Sequence, residues 1–362
     1  MTGQSESMDA MAVAVAAGVP VLLWGAPGTG KTSAVRALSQ SLDLPCEIVI
    51  ASIREPSDFA GLPLVVGGQV RMAPPAWAQR LAEAGGGILF LDEISTAPPA
   101  VQAALLRVVL ERVVGDLPLG PGIAMVAAAN PPEQAADGWE LSAPLANRFC
   151  HLDWAVDPIA VAQGIMSGWP PPEPPRLPPG WEAQIPATRG LVSAFLTVRP
   201  ALACAVPSDP SRAGRAWPSP RTWEMAARLW AAAQAAGVST EAETALVTGA
   251  VGEGAGVELL MWHIQMDLPD PETLLADPDG FEMPERGDQV YAVLSAVAAA
   301  VAANSTPDRW QAGWKILGKA GEHAPDMAAV AARTLTSCQP PGTSAPPEVR
   351  LFAPLLKDAG LL

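Results

Sequence analysis

Short, largely apolar runs alternate along the first 153 residues with longer stretches whose apolar positions recur every three or four residues. Val19–Trp24, Cys46–Ile50, Ile88–Leu91 and Ile123–Ala129 are the apolar runs, and a fifth follows Arg148 within Leu141–Leu152. Their length and lack of alternation predict strands buried on both faces, as in a parallel sheet. Met8–Ala17 predicts a helix closed by Gly18. Thr32–Ser41 carries Val35 and Leu38 at helical spacing, Trp77–Ala84 predicts another helix, and Pro98–Val114 sets Val101, Leu105, Val108 and Val109 on one face. Gly67-Gly68, between the short apolar arms of Leu64–Met72, predicts a hairpin, and Gly115–Gly122 a turn with room for a second. After Asp153 the pattern changes. A proline-rich stretch, Trp169–Gly180, reads as a linker or loop, or as a ligand for a proline-binding domain. Helical patterns follow at Arg189–Arg199, Arg221–Ala236 and Glu241–Leu260, then at Gln289–Ala303, Pro307–Gly321, Pro325–Ser337 and Pro347–Ala359. The expected division is three-part: an α/β core over 1–153, a helical region with the proline-rich insert over 154–266, and a C-terminal helical region over 267–362.

Chemistry enters at the strand ends. The first apolar run leads into Gly25-Ala26-Pro27-Gly28-Thr29-Gly30-Lys31-Thr32, with Ser33 next, which fits G-x-x-x-x-G-K-[ST] between a strand and a helix. Glycines let the backbone turn its N–H groups around phosphates, and the helix adds its positive end. Lys31 reaches the outer phosphates and the Thr32 hydroxyl suits Mg²⁺. The third run ends in Asp92-Glu93, at the sheet edge where ligands of open α/β sheets bind. Asp92 suits holding the metal through water, and Glu93 suits polarising a water against the γ-phosphate. Asn130 ends the next run. Alone it reads either as an ordinary strand-ending Asn before Pro131 or as a partner for that water or phosphate; Arg148 alone reads as a surface ion-pair partner.

Composition narrows the field. The net charge of −15 and pI near 4.6 argue against coating nucleic acid. Cys46, Cys150, Cys204 and Cys338 form no C-x-x-C pair and read as reduced thiols of a cytoplasmic protein. His151, His263 and His323 are too scattered for a ligand set, and a structural role is expected for His151 in its apolar run. Met1–Asp9 is polar and acidic, without the features of a signal peptide, and no apolar stretch is long enough for a membrane span.

Taken together, residues 8–262 resemble an AAA+ ATPase, and within that superfamily the MoxR-type branch. The resemblance identifies Gly25–Thr32 with Walker A and Leu89–Glu93 with Walker B. It implies a sensor 1 role for Asn130, an arginine finger at Arg148 in Leu-Ala-Asn-Arg-Phe, and a sensor 2 arginine at Arg221 opening a lid helix. Asp58–Gly61 with the following hairpin is similar to the branch's helix 2 insertion, and Arg112–Leu119 to its second pore-facing hairpin. The resemblance further implies ATP and Mg²⁺ as ligands and a homo-oligomeric, hexameric ring in which Arg148 serves a neighbour. The partner it implies carries a von Willebrand factor A domain, and the role is that of a chaperone-like remodeler or activator. The alternatives are an ATP-dependent assembly switch with slow hydrolysis, and a DNA-acting AAA+ motor. The proline-rich insert and the last hundred or so residues match no feature of the branch.

Overall fold

A computed structural model describes residues 3–131, 140–266, 268–322 and 325–358. Met1, His323 and Ala359, named above, lie outside the described residues. Nine strands occur there: β1 (Val21–Trp24), β2 (Cys46–Ile50), β3 (Leu62–Val66), β4 (Gln69–Ala73), β5 (Gly87–Asp92), β6 (Val113–Val114), β7 (Leu117–Pro118), β8 (Ile123–Ala129) and β9 (Cys150–Asp153). Five form one parallel sheet in the order β2-β5-β8-β1-β9, so every expected run takes its place in it, but β2, expected to be buried, is an edge strand and only Val49 of it is fully buried. The central strands β1 and β8 are buried along their whole length, which explains why they read as unbroken apolar runs. This is the α/β P-loop NTPase fold, with helices flanking the sheet.

Two helices end earlier than their patterns suggested. The one over Pro98–Val114 spans Pro99–Glu111 and stops at Arg112, which turns left-handed (φ 56°), releasing Val113 and Val114 to pair with β7. The Arg112 guanidinium folds back onto the carbonyls of Gly120 and Ile123, closing this hairpin from beneath. The pattern over Glu241–Leu260 divides into Thr240–Val251 and Glu253–Met266. Gly252 separates them at φ 88°, where a Cβ would lie 2.8 Å from the Ala216 carbonyl oxygen. Several other helix starts follow one recipe: a short polar N-cap and then proline at the first helical position. Asp157, Ser219, Asp270 and Thr306 cap the helices that open at Pro158, Pro220, Pro271 and Pro307.

The β3–β4 hairpin keeps Leu62, Leu64, Val65, Val66 and Val70 exposed. It is tied to the β6–β7 hairpin by the Asp116 amide donating to the Met72 carbonyl (2.9 Å) and the Met72 amide to Asp116 Oδ2 (2.8 Å).

By its internal contacts the chain falls into two units. The first joins Met1–Pro178 to Cys204–Gly256, and the second joins Pro179–Ala203 to Val257–Leu362. The helix Ile185–Val198 therefore packs with the C-terminal helices, against Gly287–Ala303, where Gly190 leaves a Cβ only 3.2 Å from Ser295. The core of this second unit is built on Trp310, Trp314 and Phe352, with the Trp310 indole donating to the Leu335 carbonyl at 2.7 Å. In the first unit, the helix Thr240–Val251 packs on β9 at Gly249. A Cβ there would overlap the His151 carbonyl oxygen and lie 3.0 Å from Cys150 Sγ. Gly249→Ala is therefore expected to destabilise the first unit by about 1–3 kcal/mol through overpacking. Urea unfolding with a midpoint equal to the parent's would contradict that close approach.

Candidate nucleotide site at the sheet edge

The carboxyl ends of β1, β5 and β8 finish side by side, and most of the candidate residues sit just beyond them. β1 delivers the chain into the loop Gly25–Gly30, with the Gly25 amide bonded to the Ala129 carbonyl of β8 (3.2 Å). Gly25 must be glycine, because a Cβ would stand 2.7 Å from the Trp154 carbonyl oxygen. Gly28 and Gly30 take positive φ (78° and 87°). Thr29 Oγ1 donates to the Ala26 carbonyl (2.8 Å), and the Trp154 indole donates to the Thr29 carbonyl (3.1 Å), pinning the loop from inside and from β9's end. Ser33 is exposed on the first turn of the helix Lys31–Ser41.

Lys31 is 7% exposed, and its ammonium donates to the carbonyls of Gly25 (2.5 Å) and Ala26 (3.0 Å) and to Asn130 Oδ1 (3.0 Å). Burial pulls the Lys31 pKa down, while the nearby Asp92 and Glu93 carboxylates oppose the shift. Thr32 Oγ1 donates to Asp92 Oδ2 at 2.8 Å. The structure thus joins Lys31 with Asn130 and Thr32 with Asp92, pairs separated by 99 and 60 residues in the chain. Thr32 and Asp92 offer hard oxygens at one point beside the loop, a donor set that fits Mg²⁺ with most of its water retained.

Glu93 follows Asp92 in a left-handed turn (φ 57°), unusual for a residue other than glycine, which re-aims its carboxylate off the strand direction. That carboxylate accepts from the Ser52 hydroxyl at 2.5 Å. Ser52 is not evident from motifs. Its signal is positional: β2 pairs with β5 so that Ile50 faces Asp92, which carries the residues just beyond both strands to the same edge.

Arg148 and Arg221 stand apart from this group and make no hydrogen bond to the loop or to Glu93 among the described residues. Arg148 donates to the Pro144 carbonyl, while its Nε is buried without a partner. Its pKa is lowered by burial and by the Arg221 charge, so the two guanidinium groups lie within each other's field. Arg221 Nη1 approaches Asn147 Oδ1 at 3.4 Å.

His151 has a structural place. The Trp24 indole donates to its Nδ1 (2.8 Å), so the ring proton lies on Nε2 and donates to the Ala146 carbonyl (2.9 Å). The Arg215 guanidinium covers the Trp24 ring at 3.9 Å from its centre.

Residues 20–149 match the AAA domain family, dynein-related subfamily. Over 123 residues the chain is 36% identical to the Psp operon transcriptional activator of Escherichia coli (strain K12), covering 31% of this chain and 37% of that protein. It is 34% identical over 107 residues to the pathogenicity locus probable regulatory protein HrpS of Pseudomonas syringae pv. syringae, covering 28% and 34%. The chain spans about a third of the length of these curated relatives. Two solved structures are similar at 18% identity. One is a protein of Cytophaga hutchinsonii provisionally assigned as an ATPase, with TM-score 0.43 over 74% of this chain and 91% of that one. The other is a full-length MCM homolog from Methanopyrus kandleri, with TM-score 0.37 over 72% and 54%. Among the described residues no helix is long and apolar enough to cross a membrane.

The geometry around His151 has a measurable consequence. Burial first, and then the Arg215 charge, hold its pKa down at about 4 against an ordinary 6.5, partly offset by the bond to Ala146. A second proton would have to enter at Nδ1, against the Trp24 N–H. The unfolded chain therefore takes up a proton on acidification before the folded chain does, and stability falls as pH drops from 6.5 towards 4. From about pH 7 to about pH 5 this one group is expected to remove about 2 kcal/mol. Urea unfolding of the parent and of His151→Gln at both pH values measures it; equal losses in the two proteins would refute the assignment.

Proposed function

We propose that this chain binds ATP with Mg²⁺, hydrolyses it, and uses the cycle in a ring to remodel or activate a partner protein, in the manner of the MoxR-type branch. The observation that carries the reading is the convergence of Lys31, Thr32, Asp92, Glu93 and Asn130 at one sheet edge, with Lys31 on Asn130 and Thr32 on Asp92. The loop residues Gly25 to Ser33 would cradle the phosphates, and the Lys31 ammonium would exchange its loop carbonyls for phosphate oxygens. Thr32 and Asp92 would hold Mg²⁺, whose chemistry is to neutralise charge on the transferring phosphoryl group. Glu93 would orient and deprotonate the attacking water once its carboxylate leaves Ser52, and Asn130 would hold that water or the γ-phosphate.

Arg148 and Arg221 fit roles met from outside this cluster. Each lacks an acidic partner among the described residues, and Arg148 keeps an unpartnered Nε. Arg148 would complete the site of a neighbouring subunit, which implies a homo-oligomer, and Arg221 would close the helix Pro220–Ala236 onto the subunit's own nucleotide. The exposed, apolar β3–β4 hairpin supports engagement of a protein partner, with a von Willebrand factor A domain protein the partner this branch implies. The curated relatives are named for transcriptional control, but the match covers the nucleotide core, so it supports a shared motor and leaves the client open. The Ser52–Glu93 bond favours a second reading, an ATP-dependent assembly switch with slow hydrolysis, since a carboxylate that accepts a hydroxyl is a weaker base.

Glu93→Gln is expected to retain ATP while losing turnover by about 10²-fold or more, and Lys31→Ala to lose nucleotide affinity. Measured ATP binding and phosphate release check both; full turnover in Glu93→Gln would sink the assignment, and a parent no faster than Glu93→Gln would favour the switch. Mixing Arg148→Ala with Glu93→Gln subunits is expected to restore part of the turnover, because an intact Arg148 then faces an intact Glu93. Two inactive parents giving an inactive mixture would argue against a site shared between subunits.

A further inference from the structure

Asn147 is 4% exposed and stands next to Arg148 in the chain. Its side-chain amide makes three contacts, all to a segment 70 or more residues away. Oδ1 accepts from the Ser219 hydroxyl (2.9 Å) and from Arg221 Nη1 (3.4 Å), and Nδ2 donates to the Trp217 carbonyl (3.3 Å). Ser219 is also the N-cap of the helix Pro220–Ala236, in a reciprocal box with Thr222. One buried amide is therefore fastened to the cap of that helix, to the residue two before the cap and to the arginine in its first turn.

We propose that Asn147 is a positioning residue that couples Arg148 to Arg221, so that a movement at the start of the helix Pro220–Ala236 is passed to the peptide carrying Arg148. The chemistry of the residue supports this. Only a group with a donor and an acceptor in one plane can meet a carbonyl on one side and a hydroxyl and guanidinium on the other. In a buried setting each such bond is strengthened, and its loss leaves an unsatisfied polar group. Two cations with no acidic partner among the described residues repel one another, and a neutral clamp holds them close without quenching either charge. Nothing about Leu-Ala-Asn-Arg-Phe as a motif distinguishes Asn147 from a helix-end residue; the fold does so, by bringing Trp217–Arg221 against it.

The inference rests on the assignment of Arg221 made under the proposed function, and the test separates the two. Steady-state ATP turnover of the full chain is measured for Asn147→Ala, Arg221→Ala and the double variant, with ATP affinity and thermal unfolding recorded alongside. Each single variant is expected to lower kcat about tenfold while KM moves by less than about twofold, and the double variant to be no slower than Arg221→Ala alone. An Asn147→Ala protein with parental kcat beside an impaired Arg221→Ala overturns the coupling alone, as does a double variant whose loss is the product of the two. Full turnover in Arg221→Ala overturns the assignment of Arg221 and the coupling with it. Should Asn147→Ala fail to fold, Asn147→Asp loses the donor to the Trp217 carbonyl and sets a negative charge beside Arg221, and it is expected to lower kcat about tenfold with KM within about twofold. Parental kcat in Asn147→Asp overturns the proposal.

Discussion

A buried ammonium group must be surrounded by acceptors, and the Lys31 ammonium is held by two loop carbonyls and the Asn130 amide oxygen. That requirement ties the loop after β1 to the end of β8, which lies between β1 and β5 in the sheet. Once β1 and β8 are in register, β5 on the far side of β8 ends at the same level and presents Asp92 to Thr32. The site is thus a consequence of strand register: slipping β8 by one residue would turn Asn130 to the other face and leave the ammonium short of an acceptor.

The same edge is braced from β9. Trp24, the last residue of β1, holds His151, and His151 holds the carbonyl of Ala146, the residue before Asn147. Trp154, just past β9, holds the loop at Thr29. The loop Gly25–Gly30 and the segment bearing Arg148 are accordingly anchored to neighbouring points of one strand pair. Within this unit, Asn147 carries the connection onward to the start of the helix Pro220–Ala236.

Much of the core was legible because buried parallel strands have a plain signature, as unbroken apolar runs flanked by glycine or proline. The loop Gly25–Thr32 and the pair Asp92-Glu93 are contiguous, so their chemistry shows in one dimension. Ser52 and Asn147 are not contiguous with anything that marks them. Their roles arise from pairings across 41 and 72 residues, which only the folded sheet defines. The break at Gly252 was hidden for a related reason, since the carbonyl of Ala216 that demands glycine there comes from a distant part of the chain. The helix Ile185–Val198 likewise shows an apolar face in the sequence, but its partner, the helix Gly287–Ala303, lies about a hundred residues further on.

Central to this account is the claim that the sheet edge hydrolyses ATP with a metal held by Thr32 and Asp92. The direct measurement is phosphate release from ATP by the purified chain, with Mg²⁺ present and then chelated. The account predicts release that depends on Mg²⁺ and stops on chelation while ATP remains intact. Bound ATP that is never cleaved with Mg²⁺ present, or cleavage indifferent to chelation, would contradict it.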